Sequence, residues 1–261
     1  MSDFKHHKIE VTDGTLIPGR DDHSLFSAWK ISFLGALALL VALPLLSPDP
    51  YLQILKFMPD GILVTFQVTT LSILIAVVIG LLAGIGQISR VPVINRLATV
   101  YVQVIRGIPL LVQLFYIYFA LGKFLKLQGL IAAVIAMSFC YGAYMGEIFR
   151  AGIQAVPKGQ MEAALALGMS RGQALWFVIL PQTIRIILPP IGNEFIALLK
   201  DSSLVSILAI SDLLRRGREY AAASFRYFES YTMVALVYLV LTLFLSRLVG
   251  IMEERLHRDG K

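Results

Sequence analysis

Uninterrupted apolar runs constrain this chain more than any other feature. Segments at 31–47, 62–87, 97–121, 129–149, 187–210 and 230–252 are built mostly of Leu, Ile, Val, Ala, Phe and Gly. A bilayer core takes about 20 helical residues to cross. Lipid offers backbone groups no hydrogen-bond partners, so each run is expected to be a helix, which satisfies them internally. The runs lack the alternation over about ten residues that marks a membrane β-barrel. The fold expected is therefore an all-α polytopic membrane protein with about six transmembrane helices. The first segment is the shortest and contains Pro44. Composition agrees: 57% of the 261 residues are hydrophobic and 15% are charged, where a soluble domain has about 25% charged.

The net charge of +6 fits Lys and Arg gathered in cytoplasmic loops, which sets both termini inside; nucleic acid is not an expected partner. One cluster, Arg215–Arg218 with Gly217 inside it, then falls on the outer side. That leaves open a re-entrant rather than crossing path for the fifth segment. Cys140, the one cysteine, excludes an intrachain disulfide and sits in an apolar run, where packing explains it. The Lys5–Lys8 tract with its two histidines reads as solvated tail rather than a metal site, and no cleavable signal peptide is expected. No inverted repeat is visible.

Between the fourth and fifth segments lies a polar stretch, 150–187. "KGQMEAALAL" is rich in helix formers and follows Pro157. Gly168 can take the left-handed conformation that ends a helix. Ser170 and Gln173 match a capping box, opening a second helix over 171–180 that meets Pro181. This helix–glycine–helix elbow cannot lie in lipid with Glu162 and Arg171 upon it. It reads equally as a docking knob for a partner or as a plain connection.

Polar groups at membrane depth default to functional candidates. Arg106 precedes Gly107 and Pro109, where a helix can break. Glu147 and Arg150 are one turn apart and can pair. Asn193 and Glu194 enter the fifth segment, and Lys200 and Asp201 sit within it. Each also has a structural reading: capping, a surface ion pair, or helix packing. Gly80/Gly84 and Gly142/Gly146 suit close helix packing.

Glu162, Ala163, Ala164 and Gly168, then nine residues, then Val178, Leu180 and Pro181, resemble the EAA loop of ABC-importer permeases. Val178 stands where that family usually has isoleucine. "RGIPLLVQLFYIYF", "AYMGEIFRAGI" and "LPPIGNEFIALLKDSSL" are similar to the polar amino-acid (histidine/glutamine/arginine-type) branch. The resemblance spans about 58–256 and implies a five-helix type I importer core. Residues 1–30 would then be a cytoplasmic tail, 31–57 an added transmembrane helix and loop that packs on a partner permease, 155–182 the coupling loop and 257–261 a C-terminal tail. It implies a multi-pass subunit of the bacterial cytoplasmic membrane that pairs with a second permease, as homo- or heterodimer. A cytoplasmic ABC ATPase dimer would grip Gly159, Glu162, Ala163, Ala164, Gly168, Ser170, Arg171 and Pro181. An extracytoplasmic binding protein would deliver the amino acid to a pathway of Glu147, Asp201, Arg106, Asn193 and Lys200. No phosphate-binding G-x-x-x-x-G-K-[ST] motif is present. ATP and Mg are thus expected on the partner, with no cofactor or metal on this chain and no enzymatic activity of its own. The alternatives are an ion-coupled secondary amino-acid transporter using Glu147 and Asp201 as relays, an intramembrane enzyme, for which no catalytic constellation is visible, and a structural scaffold.

Overall fold

The structure, a computed structural model, describes residues 27–122 and 129–258. Most of the expected N-terminal tail, including Lys5–Lys8, and Lys123, Lys126 and Lys261 lie outside the described residues.

Helix α1, Ala28–Leu46, starts at Ser27, whose Oγ accepts from Lys30 N at 3.3 Å. Helix α2 is Pro48–Phe57, with Asp49 non-helical near its start; helices α3 (Pro59–Gln87) and α4 (Pro92–Gly107) begin with proline, which costs nothing where the N–H has no helical acceptor. Helix α5, Leu110–Phe115, runs into a π-helical turn, Tyr116–Leu121. Helix α6 is Gly129–Ala155. The elbow follows as α7 (Lys158–Ala166), α8 (Arg171–Ala174) and a π-helical turn, Leu175–Ile179. Helix α9, Leu180–Asp201, continues as a 3-10 turn, Ser202–Leu208. Helix α10 is Leu213–Ser224 and α11 is Tyr227–Arg258. Among the described residues five helical runs are long and apolar enough to cross a membrane, or six if the bent pair of α4 and α5 is one span.

The centre of the bundle is the contact of α3 with α6. It is close because both faces are glycine-lined. A Cβ on Gly84 would come within 2.6 Å of Phe149 Cβ, one on Gly146 within 3.0 Å of Ala83 Cβ, and one on Gly80 would collide with Met145. Small residues let backbones approach where lipid supplies no hydrophobic drive between helices. Around this seam Val68, Ala76, Ala133, Met137 and Met145 pack with Leu198 and Val205 from the α9 strand of chain. A second apolar cluster, with Ile54, Met58, Leu213 and Met233, joins α2, α10 and α11.

Four sequence expectations change. The third segment is not one helix: α4 and α5 bend by 104° at Gly107–Pro109, because Pro109 lacks a donor. Residues 48–57, expected in a loop, are helix α2. The elbow's second helix does not stop at Pro181. The π-helical turn before it shifts the hydrogen-bond register, so α8 passes continuously into α9 with Pro181 in the first turn. The fifth span tightens to 3-10 helix after Asp201 and ends at Ala209, φ 64°.

Two arginines of Arg215–Arg218 are paired locally. Arg215 Nε donates to Glu219 Oε1 at 2.7 Å, Arg216 pairs with Asp60 and Glu219, and its guanidinium lies 5.2 Å from the Phe57 ring centre. Asp212, fully buried, caps α10 by accepting from Leu214 N and Arg215 N at 3.2 and 3.0 Å. Burial pushes its carboxyl from 3.8 up to about 6, against the opposing pull of the cap N–H groups.

Two predictions follow from this packing. Gly80→Val destabilises the detergent-solubilised protein by about 2 kcal/mol or more through overpacking, whereas Gly107→Ala, with nothing within 4 Å of the added carbon, leaves its thermal midpoint unchanged. The folded Asp212 carboxyl keeps its proton to higher pH than the unfolded chain, so its contribution is full below pH 3.8 and is lost as pH rises through about 6. Thermal melts across that window fall less steeply for Asp212→Asn, which still caps, than for wild type.

Candidate functional site

The elbow is rigid for reasons visible in its backbone. Gly168 has φ +84°. Its N–H donates to Leu165 O at 3.0 Å and that of Met169 to Ala164 O at 3.2 Å, the paired bonds of a Schellman ending. Ser170 Oγ accepts from Gln173 N at 3.3 Å while Gln173 Oε1 accepts from Ser170 N at 2.9 Å, completing the capping box. Helix α7 then packs on the π-helical turn 175–179. Gln182 Nε2 donates to Gln160 Oε1 at 3.2 Å and to Val178 O at 3.0 Å. Of the expected coupling residues, Gly159, Glu162, Ala163, Gly168, Ser170, Arg171 and Pro181 are exposed, and Ala164 is buried against the unit. Leu167 is 81% and Phe177 73% exposed, an apolar surface carried by a polar loop.

The second feature is a polar cleft of about 480 Å³ between α3, α4 and α6, lined by Gln87, Asn95, Gln103, Arg106, Glu147 and Arg150 among others. Arg150 Nε donates to Glu147 Oε1 at 3.0 Å and its Nη1 to Gln154 Oε1 at 2.9 Å. Arg106 stands 3.9 Å from Glu147 and 5.4 Å from the Tyr144 ring centre. Two guanidiniums thus share one carboxylate at the cleft wall. Asp201 lies apart from it, accepting from the buried Tyr141 hydroxyl at 2.8 Å, with Glu194 within electrostatic reach of both Asp201 and Arg106.

The expected pathway set therefore divides. Arg106 and Glu147 meet in the cleft, and Asp201 joins α9 to α6. Asn193 and Lys200 turn to the other face of α9, where they line a groove with Ser246 and Glu253 of α11. Sequence reasoning missed Tyr141, Tyr144 and the Gln160–Gln182 bond, which have no local signature. It also missed Gln113, whose position four residues after Pro109 was readable.

Residues 76–258 match the family described as binding-protein-dependent transport system inner membrane component. The chain belongs to this family. This permease is 39% identical over 200 residues to the glutamine transport system permease protein GlnP of Escherichia coli (strain K12), covering 76% of this chain and 91% of the relative. It is 36% identical over 204 residues to the arginine transport system permease protein ArtQ of Bacillus subtilis (strain 168), covering 77% and 93%. Among solved structures it resembles an amino acid ABC transporter with histidines, with a TM-score of 0.73, 41% identity and coverage of 78% of this chain and 96% of that one. The MetNI methionine ABC transporter, at 21% identity and a TM-score of 0.67 over 79% of this chain and 97% of that one, shares the fold. Helices α1 and α2 precede the matched residues.

The Glu147–Arg150 pair, about a third exposed, is worth modest energy: a double-mutant cycle with Glu147→Gln and Arg150→Gln, read by thermal unfolding, gives a coupling of about 0.5 kcal/mol.

Proposed function

We propose that this permease forms the translocation pathway of an ATP-driven importer of polar amino acids in the bacterial cytoplasmic membrane. The observation that carries this reading is the elbow: a protruding, capped, doubly tied unit continuous with α9 and following directly on α6. A cytoplasmic ABC ATPase dimer grips the exposed face that bears Gly159, Glu162, Ala163, Gly168, Ser170, Arg171 and Pro181, with ATP and Mg on that partner. Leu167 and Phe177 supply apolar anchors for the groove it enters.

Force applied there has a defined route. Helices α6 and α9 leave the elbow together and carry Glu147, Tyr141, Glu194 and Asp201 between them. When the ATPase closes, both helices tilt as a pair and the pathway opens to the other side. Arg106 and the cleft favour the α-carboxylate of the cargo. Asp201 and Glu194 give its ammonium or a cationic side chain an opposite charge farther along. Relatives whose names specify glutamine and arginine accord with cargo of this class. An extracytoplasmic binding protein delivers it at the end of the bundle away from the elbow, and both termini lie on the cytoplasmic side.

A second permease covers the α9–α11 groove. Lys200 is exposed there at membrane depth, and a charge facing lipid is costly. Asn193 shares that face and belongs to the same interface.

Uptake of labelled L-glutamine or L-arginine into vesicles bearing the assembled transporter tests the reading. It requires ATP and the ATPase subunit; uptake sustained by a proton gradient without ATP refutes it. Gly168→Val, with a β-branched residue forced to φ +84°, lowers uptake about tenfold or more while binding-protein capture at the outer face persists. Normal uptake by the variant would remove the elbow from the mechanism.

A further inference from the structure

The break between α4 and α5 leaves carbonyls without partners. Pro109 has no N–H, so the Ile105 carbonyl four residues earlier loses its helical donor; the Ile108 N–H reaches it only at 3.4 Å. The N–H groups of Val112 and Gln113 both turn to Pro109 O, at 3.0 and 3.1 Å, so the Ile108 carbonyl also lacks its ordinary partner. One side chain serves both. Gln113 Nε2 donates to Ile105 O at 2.7 Å and to Ile108 O at 2.8 Å. A carboxamide nitrogen has two hydrogens, and here each has its own carbonyl, one on either side of Gly107. Gln113 is 5% exposed, so water does not substitute for it. Both partners are acceptors, which fixes which end of the amide faces them.

Arg106 is the residue just after the first of these carbonyls and just before the break. Its guanidinium must cross to α6 to stand beside Glu147 and Tyr144. We propose that Gln113 is a positioning residue for transport: its carboxamide clamps the α4–α5 bend and thereby holds Arg106 in the polar cleft. It touches no cargo. It acts through the backbone on either side of Gly107, where a Cβ would meet nothing within 4 Å. The clamp is made by two hydrogen bonds that break together when the bend opens, so its loss slows a conformational step rather than binding-protein docking at the outer surface. The clamp itself is independent of the cargo assigned above; its bearing on uptake rests on that reading.

The test uses the assembled transporter in proteoliposomes. Gln113→Met keeps length and bulk and removes both donors; Gln113→Glu offers one donor in its protonated form. Spin labels at Val104→Cys and Phe119→Cys, both exposed, report the bend, with the buried Cys140 left in place. In Gln113→Met the label distance distribution broadens. Maximal uptake of the labelled amino acid that wild type carries falls about tenfold, as expected for two buried carbonyls left unpaired. The half-saturating concentration of loaded binding protein stays within about twofold, and Gln113→Glu falls between the two. Wild-type distances with wild-type maximal uptake overturn the proposal. So does an uptake loss that merely tracks the amount of assembled transporter while the distances stay unchanged, since that describes support of the fold alone. If wild type itself carries no amino acid with ATP, the functional reading fails, and the distance measurement still decides whether Gln113 clamps the bend.

Discussion

Every backbone polar group in a lipid-surrounded bundle must find its partner within the protein, and the rest of this structure depends on how that demand is met. Long uninterrupted helices meet it by default, and α3, α6 and α11 do so. The informative places are those where the helix fails. At Gly107–Pro109 a glutamine carboxamide replaces the missing donors. At 175–179 a π-helical turn accommodates Pro181. Past Asp201 the chain tightens to 3-10 helix and Ser202 Oγ donates back to Leu199 O at 2.8 Å. These three irregularities lie where a polar feature is built: the Arg106 cleft, the elbow, and the Asp201–Tyr141 bond. The coincidence has a physical basis. Irregular backbone is tolerated at depth only where protein covers it, and those covered places are where charged side chains can also be held.

The α3–α6 seam supplies the fixed frame against which these irregular parts are placed. Its glycines bring the two backbones so near that sliding one helix past the other would require Met145 or Phe149 to pass through the opposing chain. Glu147 and Arg150 ride on α6 at that seam, and Gln87 ends α3 beside them. The cleft wall on this side is therefore stiff. Its other wall, α4, ends in a bend. The cleft thus has one wall held by close glycine-lined packing and one that ends in a bend.

Much of this was legible in the residues. Apolar runs located the spans, since periodicity hardly matters to a helix bathed in lipid. Gly168, Ser170 and Gln173 disclosed the elbow's turns, because caps are local chemistry. The Glu147–Arg150 pair followed from helical spacing. What stayed hidden was whatever depends on partners distant in sequence. Asp201 meets Tyr141 sixty residues away, and nothing near either residue signals it. The division of Lys200 from Asp201, one toward α11 and the other toward α6, required knowing which faces of α9 are occupied. Pro181 misled because a proline after a helix-forming stretch normally stops it; a register shift is not encoded in any single residue type.

The charged cluster on α10 carries the same lesson into electrostatics. Arginines counted along the chain argue against an outer location for Arg215–Arg218. In the fold, Arg215 and Arg216 meet Glu219 and Asp60, and Arg215 and Arg218 point toward Ser206 O at 3.4 Å. A guanidinium already paired with a carboxylate brings little net charge to a membrane surface, so it weighs little in orienting the chain. Helix α1 follows a similar economy of contacts. Trp29 donates to Leu243 O at 3.0 Å, and Arg247 lies 5.8 Å from its ring centre, which straps α1 to α11 within the same chain. Residues of α11 outside that strap, Ser246 and Glu253 among them, line the groove with α9. Helix α1 thus widens the apolar girdle without closing the face that bears Lys200 and Asn193.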